Sequence, residues 1–169
     1  MSDLHGCQLC PRLATYRAAI KQRFPHYHCA PVPAFDAADA RLLVVGLAPG
    51  LHGANASGRP FTGDQAGRLL YRSLHRFGFS DRAESRAVDD GLQLRDCRIT
   101  NAVKCLPPGN LPTAAEVAAC NGLLRAEIEQ LPPNGLVLAL GGVAHRAVLR
   151  ARGLIQARYP FGHGALHRL

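Results

Sequence analysis

Four of the six cysteines in this chain stand at spacings that suit metal ligation. Cys7 and Cys10 form a Cys-x-x-Cys pair, and Cys105 and Cys120 follow with fourteen residues between them. A four-thiolate set suits either zinc or an iron–sulfur cluster, and spacing does not choose between the two. The competing reading makes some of them small buried hydrophobes. Cys29 and Cys97 have no partner at a ligand spacing and read as packing residues. A bridge from Cys10 to Cys105 would close a loop of about a hundred residues, which by analogy with a disulfide contributes about 4 to 5 kcal/mol. Such a site is a staple and need take no part in chemistry.

The second chemical feature is the stretch over residues 46–64, Gly46-Leu-Ala-Pro-Gly-Leu-His-Gly-Ala-Asn-Ala-Ser-Gly-Arg-Pro-Phe-Thr-Gly-Asp64. It has neither the Gly-Lys-Ser/Thr of a phosphate-binding loop nor the Gly-x-Gly-x-x-Gly of a dinucleotide site. It offers main chain that a flat ligand can approach closely. His52 lies in the same loop, where a pocket-lining role and an ordinary loop role are equally open. Phe61 supplies an aromatic wall, with core packing as its alternative. Asp64 precedes a helical pattern and reads both as an N-cap and as a carboxylate for chemistry, two roles that can coexist. Asn101 brings an amide that can donate and accept at once, unless it is only a turn former.

The elements that must position these groups alternate in type. A helix is predicted over Pro11–Arg23, with Leu13, Tyr16 and Ile20 on one face. Residues 25–39, with three prolines, are expected to be irregular. Leu42-Leu-Val-Val45 reads as a buried strand ending in glycine, and residues 65–77 as a helix with Leu70, Leu74 and Phe77 inward. Residues 80–96 are polar and carry no clear pattern. Arg98-Ile-Thr-Asn-Ala-Val103 reads as a second strand. Thr113 and Glu116 form a capping box for a helix carrying Val117, Cys120, Leu124, Ile128 and Leu131. Residues 136–140 read as a third strand and 143–152 as a last helix. The pattern predicts a three-layer α/β sandwich around a mostly parallel central sheet. The glycine stretch, Asn101 to Cys105 and Gly141 to His145 then all follow strand C-termini, where open α/β sheets bind ligands.

Composition bounds the rest. The chain of 169 residues reads as one domain over 1–169, with 47% apolar and 19% charged residues. Lysine and arginine number 20 against 12 acidic residues, a net +8 that favours a polyanionic partner; 18 of the 20 cations are arginine. His145, within a predicted helix, reads as structural. Arg68, Arg72 and Arg76 share one helical stripe, either a solvated face or a phosphate contact. The longest apolar run falls far short of the roughly 20 residues that cross a bilayer, and no signal-peptide pattern opens the chain. A cytoplasmic location, with reduced thiols, is expected.

Several motifs occurring in order carry a resemblance. Gly46-Leu-Ala-Pro-Gly50 with His52-Gly-Ala-Asn55, Gly58-Arg-Pro-Phe-Thr-Gly-Asp64, and Asn101-Ala-Val-Lys-Cys-Leu-Pro-Pro108 resemble the uracil-DNA glycosylase superfamily. The four-cysteine spacing resembles its iron–sulfur branches, families 4 and 5, and Leu47 in place of the family 4 glutamate looks more like family 5, the type-B enzymes. The resemblance implies a [4Fe–4S] cluster on Cys7, Cys10, Cys105 and Cys120, in preference to zinc. It implies that Phe61 stacks on an extruded uracil, that Asn101 hydrogen-bonds the polar edge of the base, and that Asp64 positions or activates water. Gly46, Ala48, Pro49, Gly50 and His52 would line the pocket. The implied partner is DNA carrying uracil or other deaminated bases, acted on by a monomer with no membrane association.

One departure stands out. The chain ends just after Tyr159-Pro-Phe-Gly-His-Gly-Ala-Leu-His167, where family members continue through a further strand, a His-Pro-Ser loop and a final helix. Relative to the family the chain thus reads as C-terminally truncated, which predicts an unpaired sheet edge and exposed apolar surface. The alternative functions are a non-catalytic iron–sulfur DNA-binding protein or an inactive truncated member. A zinc-stapled nucleotide enzyme of similar architecture is a third.

Overall fold

A computed structural model describes residues 4–36 and 40–168. Residues 37–39 of the stretch expected to be irregular lie outside the described residues, as do 1–3 and Leu169. In chain order the elements are α1 (Pro11–Arg23), β1 (Phe35–Asp36), β2 (Leu42–Gly46), α2 (Ala54–Ser57), α3 (Gln65–Arg76), β3 (Cys97–Asn101), α4 (Ala114–Glu129), β4 (Leu136–Ala139) and α5 (Gly142–Ala151).

The sheet has the order β1-β3-β2-β4. Strands β3, β2 and β4 are parallel, and β1 runs antiparallel on β3. Helices cover both faces, so the three-layer α/β sandwich is the observed architecture. Leu43 and Val45 point to a core built with Leu124, Ile128, Ala144, Ala147 and Val148 of α4 and α5. Val44, Cys97 and Ile99 point the other way, onto Leu70, Tyr71 and Leu74 of α3 and onto Leu92 and Leu94. Burial on both faces explains why the β2 run is uninterrupted rather than alternating. Each such side chain contributes about 1.5 to 3 kcal/mol.

Several local expectations hold. Pro11 opens α1, and Leu13 and Ile20 are buried on it, joined by Arg17. Thr113 Oγ1 accepts from the Glu116 amide at 3.2 Å while Glu116 Oε2 accepts from the Thr113 amide at 2.7 Å, completing the capping box.

Others are corrected. Phe77 is 72% exposed, because α3 stops at Arg76 and the chain turns away before the ring can reach the core. A two-residue strand, β1, forms inside the proline-rich stretch by pairing Phe35 with Ile99. β3 ends at Asn101, although Ala102 and Val103 still bond back to Gly46 and Leu47. The short helix α2 inside the glycine stretch was not anticipated. Residues 80–96 fold as a loop closed by an isolated bridge between Ser80 and Leu94.

Strand β4 is an edge: among the described residues it pairs only with β2. Leu136 and Leu138 are 62% and 46% exposed on it. No helix among the described residues is long and apolar enough to cross a membrane.

Candidate active site and thiol cavity

Gly46 and Asn101 are partners in the parallel register of β2 and β3, so their substituents leave the same face of the sheet side by side. The ladder continues past both strand ends, with Ala102 N donating to Gly46 O at 2.9 Å and Val103 N to Leu47 O at 3.0 Å. Asn101 is therefore held on stiff main chain. Its residue is 3% exposed, and its carboxamide has no hydrogen-bond partner among the described residues. An amide that no protein group engages is free to bond a ligand or water.

Phe61 reaches the same place from another element. A methyl added at Gly46 would overlap both Asn101 Oδ1 and Phe61 Cζ, and would lie 2.7 Å from Phe61 Cε2. Ring and amide thus converge over the one residue whose lack of a side chain leaves room. Phe61 has φ = 55°, in the left-handed region that bulky residues avoid. Backbone held there costs on the order of 1 to 3 kcal/mol and persists only where its surroundings enforce it.

The enforcement comes from buried groups that sequence reasoning missed. Arg59 is 4% exposed and bonds Asp90 Oδ1 at 2.7 Å, Ser85 Oγ at 3.0 Å and Val88 O at 2.5 Å, with its guanidinium 4.4 Å from the centre of the Phe35 ring. Tyr71 of α3 donates to Pro60 O at 3.1 Å. Burial pushes the Tyr71 phenol up to about 12, so it stays a neutral donor. The unassigned loop 80–96 is thus the brace of the Arg59-Pro60-Phe61 strap.

Asp90 titrates far from an ordinary carboxyl. Burial opposes its ionisation, but hydrogen bonds from Arg59 and from the amides of Arg86, Leu92 and Ala87 outweigh that and hold it well below the usual carboxylate range. Because the folded value is depressed, this stabilisation is complete above pH ~4 and is lost as pH falls below that. Asp90→Asn should lower stability at neutral pH by about 3 kcal/mol, or roughly 6 to 12 °C in Tm. Thermal melts between pH 7 and pH 3 should show a flatter acid limb for the variant; an unchanged limb would assign the acid sensitivity elsewhere.

Asp64 does cap α3: its Oδ1 accepts from Gly67 N at 2.8 Å. Its Oδ2 turns towards the glycine loop, 3.6 Å from the position a Gly50 methyl would take, and a methyl at Gly53 would overlap it. One carboxylate therefore caps the helix and faces the loop at once. Gly67 is required as well, since a methyl there would overlap the Phe61 carbonyl. Pro49 is buried, while Ala48 turns its methyl to the cysteine side of the molecule, leaving only its main chain for a ligand. His52 is exposed; it shares a 2.8 Å hydrogen bond with the Tyr27 hydroxyl and stands edge-on to Phe24 and Tyr27. It belongs to an aromatic rim rather than to the Phe61–Asn101 meeting point. His145 of α5 donates to Tyr159 O at 2.8 Å, tying the helix to the chain that follows it, consistent with a structural role. Arg68, Arg72 and Arg76 are exposed along the helix that Asp64 caps.

All four predicted cysteines line one cavity, together with Leu13, Arg17, Val103 and Lys104. Among the described residues no three His, Cys, Asp or Glu side chains are placed to hold a single metal ion. The thiols instead ring a space. Burial pushes the Cys105 thiol up to about 12 and also raises Cys10 and Cys120, whose neighbouring thiols add to the effect. Buried thiols that repel each other as thiolates are stabilised in that form only by a cationic core. Two donors already face the anionic state: Lys104 N donates to Cys120 Sγ at 3.3 Å, and Arg17 Nε is buried without a partner. Cys29 accepts from Asn55 Nδ2 at 3.5 Å and Cys97 sits in the core, both apart from the cavity.

Fold and site together define an α/β protein in which Phe61 and Asn101 meet at the parallel strand ends, with a separate four-thiol cavity. The chain belongs to the uracil-DNA glycosylase superfamily, whose family model matches residues 32–167. It is 44% identical to the type-5 uracil-DNA glycosylase of Thermus thermophilus over 100% of this chain and 79% of that protein. The identity to the type-5 enzyme of Pyrobaculum aerophilum is also 44%, over 96% of this chain and 73% of the relative. The type-4 uracil-DNA glycosylase of Thermotoga maritima is 38% identical over 63% of this chain and 47% of its own length.

Proposed function

We propose that this chain is a uracil-DNA glycosylase of the type-5 kind, which hydrolyses the N-glycosidic bond of uracil in DNA as the first step of base-excision repair. The observation that carries this is the meeting of Phe61 and the unpartnered Asn101 carboxamide over Gly46.

A base inside a duplex must be extruded at a cost of a few kcal/mol. Stacking on Phe61 recovers about 1 to 3 kcal/mol of that. Asn101 Oδ1 accepts from uracil N3–H while its Nδ2 donates to O4. Cytosine presents the reverse pattern and leaves buried groups unpaired, at about 1 to 3 kcal/mol each. The bond between C1′ and N1 then breaks, and its electron pair leaves with the base. The main chain of residues 46–50 and Asn101 Nδ2 stabilise the resulting anion. The oxygen of a water adds to the oxocarbenium-like C1′ and loses a proton, and the departing base takes one up. Asp64 Oδ2, the oxygen not used for capping, holds that water. Arg68, Arg72 and Arg76 contact the DNA phosphates, consistent with the +8 net charge.

Cys7, Cys10, Cys105 and Cys120, which line one cavity, would hold a [4Fe–4S] cluster, as the resemblance to the iron–sulfur branches of the family implies. When bound, the cluster supplies a cross-link between α1, β3 and α4, not a step of the hydrolysis.

The test is alkali-revealed strand cleavage of uracil-containing oligonucleotides, single- and double-stranded, by purified protein carrying iron and visible absorption. Abasic sites above a buffer control are expected. DNA binding without abasic sites would replace this reading with the non-catalytic one. A colourless, zinc-bearing protein would overturn the cluster assignment alone.

A further inference from the structure

Among the described residues whose side chains are almost wholly shielded from solvent, Lys104 is second in size only to Tyr71 and is the one that carries a charge; the reaction above makes no use of it. It is 1% exposed. Its ammonium bonds Thr100 Oγ1, donates to the Asn101 carbonyl at 3.0 Å, and meets both Glu127 oxygens, at 2.8 and 2.7 Å. The Lys104 amide donates to Cys120 Sγ at 3.3 Å. One residue therefore touches the strand end that carries the base-reading amide, helix α4 through Glu127, and the thiol cavity.

We propose that Lys104 is a positioning residue for base excision, its ammonium clamping the Asn101 main chain so that the carboxamide keeps the pitch needed to read uracil. The proposal rests on the assignment of Asn101 to the base. Thr100 and Asn101 point to opposite faces of the sheet, so the clamp works from the α4 side while the carboxamide works from the α3 side. Lys104 never touches the substrate; it acts through the peptide it holds.

A plain ion pair joining β3 to α4 would serve stability only. The geometry asks for more, because the ammonium is shared between Glu127 and the Asn101 carbonyl. Removing the clamp frees the Asn101 peptide to rock, and a misplacement of even an ångström at a reacting group can lower turnover by about 10²-fold. The effect should fall on orientation rather than on DNA capture.

The experiment compares wild type with Lys104→Met/Glu127→Met, which removes the pair together and leaves no lone buried charge. Holoprotein, verified by iron content and visible absorption, is assayed on matched uracil and cytosine oligonucleotides. Expected are a fall in kcat of about 10- to 100-fold on uracil, a KM changed much less, and a smaller uracil-to-cytosine ratio. A merely structural pair would lower Tm and leave kcat and the ratio at wild-type values, and that result would overturn the proposal. Should the double variant not fold, Lys104→Gln decides: it removes the ammonium that holds the Asn101 carbonyl and keeps a neutral donor for Glu127, so a reduced ratio supports the proposal and a wild-type ratio refutes it. If wild type itself forms no abasic sites, it is the glycosylase reading that fails.

Discussion

Asn101→Ala is expected to lower turnover of uracil-containing DNA by about 10²- to 10³-fold while the protein stays folded and coloured. The two halves of that expectation have one cause. No group among the described residues depends on the Asn101 carboxamide, so its removal orphans nothing and changes stability by only about 1 kcal/mol. The substrate, in contrast, loses an acceptor for N3–H and a donor to O4. The donor acts on charge that develops as the base departs, so the loss should appear in kcat more than in KM. Single-turnover rates on uracil oligonucleotides, alongside melting curves, measure both halves. Turnover within threefold of wild type would remove Asn101 from the chemistry, and a collapsed fold would make it structural.

Gly46→Ala should be nearly as damaging, for a steric reason. The added methyl would overlap Asn101 Oδ1 and Phe61 Cζ together. Neither can retreat cheaply: Asn101 is tied to the β2–β3 ladder, and the Phe61 strap is pinned by Arg59 and Tyr71. Overpacking of this kind costs about 1 to 3 kcal/mol. The resulting shift of ring or amide disturbs the pair proposed to hold the base, and turnover should fall at least about 100-fold. Retained visible absorption would show that the thiol cavity, on the other side of Ala48, is untouched. Wild-type turnover in Gly46→Ala would mean that the base binds elsewhere.

Much of the site was legible because its parts are local. Pro11, Thr113 and Glu116 mark helix starts through backbone chemistry that needs no tertiary partner. The Cys-x-x-Cys pair and the glycine stretch likewise advertise themselves by spacing. Phe77 misled because its position on the α3 stripe was right while the helix ended one residue earlier, beyond the core's reach. The loop 80–96 gave no periodic signal, since it is held by the Arg59–Asp90 pair and not by a repeating apolar face. Nor could spacing foretell that Ala48 would face the cysteines, or that Lys104 would be buried.

From its residues alone this chain declared an α/β sandwich, a four-thiol set and the motifs of a base-excising family, because propensity, capping and motif order are properties of neighbours in sequence. Only the folded chain decided that Phe61 and Asn101 meet over Gly46 and that a strained backbone aims the ring. The folded chain also set a buried lysine and a buried ion pair behind them. Those are contacts across 31 residues for Arg59 and Asp90 and 23 for Lys104 and Glu127. They exist only once burial removes the water that would otherwise satisfy each charge by itself.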